Sequence, residues 1–242
     1  GYKKSIPGPG IGNYVTVAKA MATARAILGE QGLRRHTYMQ AHGTGTPQNR
    51  VTESQILNKL AANFGIDKWL VSAIKCYLGH SMAPAGGDQL SAILGAWEDG
   101  LIPGISTIDH IADDVEQSNL HFPMKHVAHA PEAMKGAFIN SKGFGGNNAT
   151  GLFLSPYQTR SMLEQRWGKK AYSAFCVKQE QAETNAQSYN NVADSGSILP
   201  IYKFGEDVLS GTDLTINPNE IHIPGFGKPV SLDAENPFED MI

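Results

Sequence analysis

Thr37-Tyr38-Met39-Gln40-Ala41-His42-Gly43-Thr44-Gly45-Thr46-Pro47 is the stretch on which the fold turns. A short strand-like run, Thr37 to Ala41, stops at a turn rich in Gly and Thr and closed by Pro47. A helical segment follows, with Ile56, Leu57, Leu60, Ala61 and Phe64 as its apolar stripe and Gly65 placed to end it. Thr52, with Gln55 three residues later, can form a capping box, which predicts that this helix starts at Thr52. Strand, glycine turn and amphipathic helix in succession make the unit from which α/β layered folds are built.

The same unit recurs on either side. Upstream, Val17, Met21, Ala24 and Leu28 stand at helical spacing, and Gly32 is placed to stop that helix. Downstream, Trp69 to Ile74 reads as a strand and runs into Lys75-Cys76-Tyr77-Leu78-Gly79-His80. A third helix follows, with Leu90, Ile93, Leu94 and Trp97 on one face and Pro84 suited to its first turn. Gly136 to Asn140 and Thr150 to Leu154 are two further strands, separated by Gly143-Phe144-Gly145-Gly146-Asn147-Asn148. The order helix, strand, helix, strand, helix, strand, strand predicts an α/β layered fold. After Pro156 the composition shifts. Residues 179–197 are rich in Gln, Glu, Asn, Ser and Ala, and 213–238 carries four prolines. These features predict a domain over 1–156 and an extension over 157–242, with one helix near 159–176 and mostly extended or loop structure beyond.

With 242 residues the chain is long enough to bury a sizeable core. Its 20 Lys+Arg against 23 Asp+Glu leave a net charge of −3, which offers no basic field to a phosphate backbone and argues against nucleic-acid binding. No apolar run approaches the roughly 20 residues a bilayer crossing needs. The first residues carry no signal-peptide core. The chain does not begin with Met and so reads as a processed or truncated product. Two cysteines, Cys76 and Cys176, make no disulfide framework, and a reducing cytoplasm is the simpler setting.

Three strands end in glycine-containing turns that carry His42, His80 and Phe144. Sites in open α/β sheets collect beyond strand carboxyl ends, where such turns converge. One histidine in a turn is more often structural than catalytic; two in equivalent places favour catalysis. Neither has a third His, Cys or carboxylate at ligand spacing, so no zinc site is expected. Gly8-Pro9-Gly10-Ile11-Gly12 before a helix is a weak phosphate-cradle signal, lacking the Lys-Ser/Thr of a P-loop and dinucleotide-turn spacing.

His42-Gly43-Thr44-Gly45-Thr46-Pro47, Lys75-x-x-x-Gly79-His80 and Asn140-Ser141-x-Gly143-Phe144-Gly145-Gly146-x-Asn148-Ala149 together resemble the C-terminal half of β-ketoacyl-(acyl-carrier-protein) synthases. They occur in that family's order over roughly residues 12–156. The resemblance implies a thiolase-like layered α/β half-domain and decarboxylative Claisen condensation, with an acyl group on a cysteine attacked by the carbanion of malonyl-carrier protein. It makes His42 and His80 the paired histidines of the elongating Cys-His-His class and Lys75 a buried cation in an ion-pair network. The lysine's other reading is a solvated strand-end residue. It implies that Thr44 and Thr46 hydrogen-bond the phosphopantetheine arm, although the residues alone leave open mere turn-stabilising hydroxyls. It makes Phe144 the gate of the acyl pocket, where spacing alone would equally allow a core aromatic. The pathway implied is fatty-acid biosynthesis. No cofactor is implied beyond the carrier's phosphopantetheine. The implied partners are acyl carrier protein, the N-terminal half of the same synthase, and a second copy in a homodimer.

The chain departs from the family in several places. Asn49-Arg50 stands where Gly-Asp is usual, while Glu53 matches a later glutamate. Lys142 replaces a phenylalanine beside the gate and bears on the lining of the acyl pocket. Gln89 stands where elongating synthases often carry glutamate, which leaves Asp88 as a possible carboxylate for Lys75. The nucleophilic cysteine belongs to the family's N-terminal half, and neither Cys76 nor Cys176 occupies its place. The chain therefore looks like the C-terminal part of a synthase. The alternative is a non-catalytic, chain-length-determining partner, but such partners lose catalytic residues and His42, His80 and Lys75 all remain.

Overall fold

The computed structural model describes residues 10–143, 145–199, 201, 204–206 and 208–236. Its elements in chain order begin with α1 (Ile11–Arg35), β1 (Thr37–Gln40), α2 (Pro47–Asn63), β2 (Trp69–Ser72), α3 (Lys75–Leu78) and α4 (Ala85–Asp99). Then come β3 (Leu101–Ile102), β4 (Leu120–His121), β5 (Val127–Ala128), β6 (Gly136–Gly143) and β7 (Asn147–Leu154). Helices α5 (Pro156–Trp167) and α6 (Lys169–Asp194) follow, and short strands β8 (Thr215–Ile216), β9 (Glu220–His222) and β10 (Val230–Ser231) complete the order. Two compact units result, 1–176 and 177–242, with α6 running across the division.

In the first unit, five strands form one sheet in the order β4-β2-β1-β6-β7. β1 is central and parallel to both neighbours, with Met39 opposite Val71 on one side and Phe138 on the other. β7 returns antiparallel to β6. A parallel strand covered on both faces must be apolar or internally satisfied throughout, and all four residues of β1 are buried. Alternation sends Met39 and Phe138 to the face covered by α1 and α2, where they meet Val17, Met21, Leu57 and Ala61. Tyr38, Ala137 and Ile139 go to the opposite face, against Ile93, Ala96 and Trp97 of α4. The expected α/β layering is therefore observed, and every strand-to-helix turn from β1 and β2 opens at the same end of the sheet.

Three expected boundaries move. α2 starts at Pro47, not Thr52: Thr46 is the extended residue before the helix, and Pro47 has no N–H to leave unpaired in the first turn. The Thr52 hydroxyl lies inside the helix and donates to the Gln48 carbonyl. α1 runs past Gly32 to Arg35, and its break falls at Gly29, whose φ of 73° and ψ of 173° are open to glycine alone. Residues 179–194 form a helix and not a loop. No residue of α6 is buried, so its polar composition carries no core signal. Helix-forming Ala, Gln, Glu and Lys suffice, helped by Gln181–Asn185 and Gln187–Asn191 side-chain bonds one turn apart.

In the second unit, β8, β9 and β10 form a three-stranded antiparallel sheet in the order β10-β9-β8. It is preceded by a single 3-10 turn, Gly211–Asp213, closed by a Ser210–Asp213 capping box. No helix among the described residues is long and apolar enough to cross a membrane.

The two units predict opposite responses to the same substitution. Phe138 is fully buried with its ring edge-on to Trp69 at 5.4 Å, so Phe138→Ala should cost about 3–5 kcal/mol in denaturant unfolding. Phe226 is 66% exposed, and Phe226→Ala should stay within about 0.5 kcal/mol. Equal losses would contradict the placement of the core.

Candidate active site

The site begins where β1 ends. Ala41 N–H still bonds Ser72 across the sheet; then the chain turns at His42 and Gly43. Gly43 has φ 55°, and a Cβ there would lie 2.7 Å from the Ala73 Cβ, so no other residue fits without displacement. The turn is held by Glu53 of α2, which is buried. Its Oε1 accepts the His42 N–H at 2.8 Å and its Oε2 the Gly43 N–H at 3.0 Å. Asn49, one turn earlier on α2, donates its side-chain amide to Oε2 at 3.0 Å, and Asn140 of β6 donates to Oε1 at 2.6 Å. Asn140 in turn accepts from the amide of Asn13 at 2.7 Å, which ties α1 into the same network.

Gln89 fastens the sheet side. It is fully buried, and its amide donates to the carbonyls of Gln40 at 3.0 Å and Ala41 at 2.8 Å, with a longer reach of 3.3 Å to Asn140. An amide at this position supplies donors to backbone carbonyls, which a carboxylate could not do when ionised. Neither Gln89 as a clamp nor Asn13 was read from the sequence: both are polar residues in helices, and only the contacts distinguish them.

The two histidines are brought together from turns after β1 and α3. Their ring centroids lie 5.3 Å apart with planes at 79°. His42 is buried and His80 exposed. Each ring has Nδ1 occupied by a backbone N–H: Lys142 donates to His42 at 3.3 Å, and Met82 to His80 at 3.1 Å. An Nδ1 that accepts leaves the proton on Nε2, so both imidazoles are set to donate through Nε2–H. Met82 makes its contact from a left-handed backbone, φ 65°, a conformation a non-glycine residue holds at a cost. Burial pushes His42 down to about 4; Glu53 opposes, while Lys75, His80 and Lys142 act in the same direction as burial. The ring is therefore neutral well below the ordinary histidine range. Because its folded pKa lies below the unfolded value, this group removes stability as the pH falls through that interval, when the unfolded chain takes up the proton first.

Burial would raise Glu53, but the Lys142 cation and the donors from Gly43, Asn140 and His42 outweigh it and hold the carboxyl below the usual range. Lys142 is itself pushed down by burial, against Glu53, and its ammonium donates to Asn49 at 3.0 Å. Lys75 is buried, as expected, at the start of α3. Its ammonium, however, has no hydrogen-bond partner among the described residues. Burial lowers its pKa, and the carboxylates of Glu53 and Asp88 act on it only through space. The expected ion-pair network is thus replaced by a field. Glu53 is engaged by four other donors, and Asp88 accepts from Ser81.

Thr44 and Thr46 lie on the same turn with hydroxyls 3.4 Å apart. Phe144 lies outside the described residues, between Gly143 and a pair of glycines, Gly145 and Gly146, with φ near 81° and 83°. Cys76 and Cys176 are both free. Burial raises the Cys76 thiol, which lowers the thiolate fraction a nucleophile needs. No group of three His, Cys, Asp or Glu side chains able to hold a metal occurs among the described residues.

Residues 12–109 match the β-ketoacyl synthase C-terminal domain model. This region belongs to that family. Across the whole chain, identity is 44% to the β-ketoacyl-(acyl-carrier-protein) synthase FabY of Pseudomonas aeruginosa, and the match takes in 38% of that protein. The 3-oxoacyl-(acyl-carrier-protein) synthase 2 of Vibrio cholerae is 30% identical over 144 residues, 60% of the chain and 33% of the relative. The crystal structure of the P. aeruginosa ketosynthase FabY superposes with a TM-score of 0.84, covering all of the chain and 38% of that structure. A ketosynthase from module 1 of the Bacillus amyloliquefaciens bacillaene synthase, 20% identical, shares the fold over 62% of the chain and 26% of its own, at a TM-score of 0.53. The fold is thiolase-like. Residues beyond 156 are shared with FabY, since the match to it spans the full chain.

Lys75→Met tests the nature of the lysine. An ammonium buried without hydrogen bonds costs solvation energy that an apolar side chain of similar length does not. The variant should therefore melt at or above the parent temperature. A clear fall would show instead that Glu53 and Asp88 hold Lys75 as a true pair.

Proposed function

We propose that this chain forms the C-terminal part of a 3-oxoacyl-(acyl-carrier-protein) synthase that condenses an acyl thioester with malonyl-carrier protein in fatty-acid biosynthesis. The observation that carries the reading is the pair of imidazoles in edge contact at 5.3 Å, each with Nδ1 occupied by a backbone N–H. The family and the full-length likeness to FabY support it.

In the proposed reaction the bond between the malonyl carboxylate and its α-carbon breaks. Carbon dioxide leaves, and the electron pair moves into an enolate whose negative charge sits on the thioester oxygen. The Nε2–H groups of His42 and His80 donate to that oxygen. Preorganised donors aimed at a developing oxyanion act in a site already paid for in folding, and each contributes about 3 kcal/mol. Neutral rings suit this role, and burial of His42 secures its neutrality. The enolate carbon then attacks the acyl carbonyl on a cysteine supplied by the preceding half of the synthase, and the cysteine leaves as thiolate. Lys75 contributes a fixed positive field beside the rings. Thr44 and Thr46 receive the phosphopantetheine arm, and Phe144 gates the acyl pocket. The substrates arrive on acyl carrier protein, no further cofactor takes part, and the intact synthase is a cytoplasmic homodimer. Within the chain, 1–156 is the ketoacyl synthase domain and 157–242 its extension.

His42→Ala or His80→Ala in the intact synthase should reduce carbon-dioxide release from malonyl-carrier protein by about 100-fold or more, with acyl transfer to the cysteine less affected. Both variants releasing carbon dioxide at the parent rate would overturn the reading.

A further inference from the structure

Two of the positions at which this chain departs from the pattern it resembles, Asn49 and Lys142, are in contact with each other. Lys142 stands where a phenylalanine is usual, and its ammonium donates to the Asn49 side-chain carbonyl at 3.0 Å. Asn49 stands where the family has glycine, and its amide donates to Glu53 at 3.0 Å. Glu53 accepts the backbone N–H of His42 at 2.8 Å, and the backbone N–H of Lys142 reaches His42 Nδ1 at 3.3 Å. These four contacts close a ring: His42 backbone, Glu53, Asn49, Lys142, His42 imidazole. A phenylalanine and a glycine could supply neither side-chain link.

We propose that Lys142 and Asn49 act together as a positioning pair for His42, closing the ring of contacts that holds its backbone and imidazole and keeping a cation in its surroundings. This inference rests on the functional reading above, since it assigns His42 a reaction to be positioned for. The pair works through its closed geometry. The Lys142 backbone fixes which ring nitrogen carries the proton. Its side chain reaches across to α2, so the end of β6 cannot drift away from the turn after β1. Asn49 is the adaptor: its carbonyl accepts from the cation while its amide donates to the carboxylate, so a lysine and a glutamate are linked without direct contact being needed. Gln89 pins the same two strand ends from the opposite side.

The charged and titratable groups facing His42 come from every element around it: Glu53 from α2, Lys75 from α3, His80 from the turn that follows, and Lys142 from β6. Asp88 of α4 acts on Lys75. Among these, Lys142 is the cation that also bounds the hydrogen-bond ring. Removing it takes a positive charge from beside the imidazole, which makes imidazolium easier to form. The ionised ring has no neutral Nδ1 to accept the Lys142 N–H, so the donor geometry is lost together with the correct charge state.

The experiment is the pH profile of carbon-dioxide release from malonyl-carrier protein, measured on the intact synthase from about pH 4 to about pH 8. Lys142→Met should move the acid limb upward by about one pH unit, so that its loss relative to the parent is larger at low pH than at neutral pH. Lys142→Arg, which keeps a cation, should leave the limb near the parent position. Asn49→Ala should move it in the same direction as Lys142→Met, by less. A Lys142→Met limb that superimposes on the parent overturns the inference. If that variant does not fold, as judged by its melting curve, the Asn49→Ala profile decides, and a superimposed limb there overturns it equally. His42→Ala, measured alongside, separates the two claims. A dead His42→Ala with unmoved Lys142→Met and Asn49→Ala limbs rejects only the pair, whereas a fully active His42→Ala rejects the functional reading and the pair with it.

Discussion

A carboxylate removed from water must be surrounded by donors, and Glu53 has four: the backbone N–H groups of His42 and Gly43 and the side-chain amides of Asn49 and Asn140. Hydrogen bonds to a charged acceptor are about twice as strong as neutral ones, and the donors here come from the turn after β1, from α2 itself and from β6. One side chain thus ties the turn after β1 to α2 and to β6. His42 stands where it does because its backbone is bound to Glu53, and Lys142 reaches the His42 ring from the strand that Asn140 anchors. Asn13 brings α1 to the same point through Asn140. The donors and acceptors around Glu53 are therefore joined link by link, while the Lys75 ammonium is held in the electrostatic field without a hydrogen bond among the described residues.

Much of this was legible in the sequence. The run from Thr37 to Pro47 reads as strand, turn and helix because β-prone residues give way abruptly to glycines and a proline, and the site lies at that junction. Phe64, Gly65 and the spacing of Ile56 and Leu60 define a helix whichever residue begins it. The start of α2 was misplaced because Thr52 and Gln55 satisfy a capping pattern that the true start, Thr46-Pro47, satisfies differently, by an extended residue and a missing N–H. His42 and His80 were visible as a pair because both sit beside glycines downstream of a strand-like run, with the short α3 lying between β2 and His80. Glu53 could be matched by position. Its link through Asn49 to Lys142 could not, since Lys142 lies 93 residues from Asn49 and no local spacing joins them. The buried but unbonded state of Lys75 was equally hidden, because a lysine before a turn has the same sequence signature whether or not a carboxylate reaches it.

The region after Pro156 illustrates a different limit. Hydrophobic periodicity reports burial, and α6 buries nothing, so the part of this 26-residue helix beyond 176 left no core stripe to read. Intrinsic propensity and one-turn side-chain bonds are weak signals singly and become informative only when summed over such a length. The full-length likeness to FabY, at a TM-score of 0.84, places this helix and the small sheet after it in a structure that FabY shares.

The account stands on Glu53 being an ionised hub and not a filler of the turn. Glu53→Gln keeps the volume and one acceptor oxygen but turns the other into a donor facing donors. Melting curves and carbon-dioxide release on this variant of the intact synthase measure the consequence together. The hub predicts a stability loss on the order of 3 kcal/mol, from hydrogen bonds to a charge that are no longer made, with release falling by at least about tenfold as His42 loses its fixed position. A variant that melts and releases carbon dioxide like the parent would show that the turn holds His42 without the carboxylate, and would contradict the account.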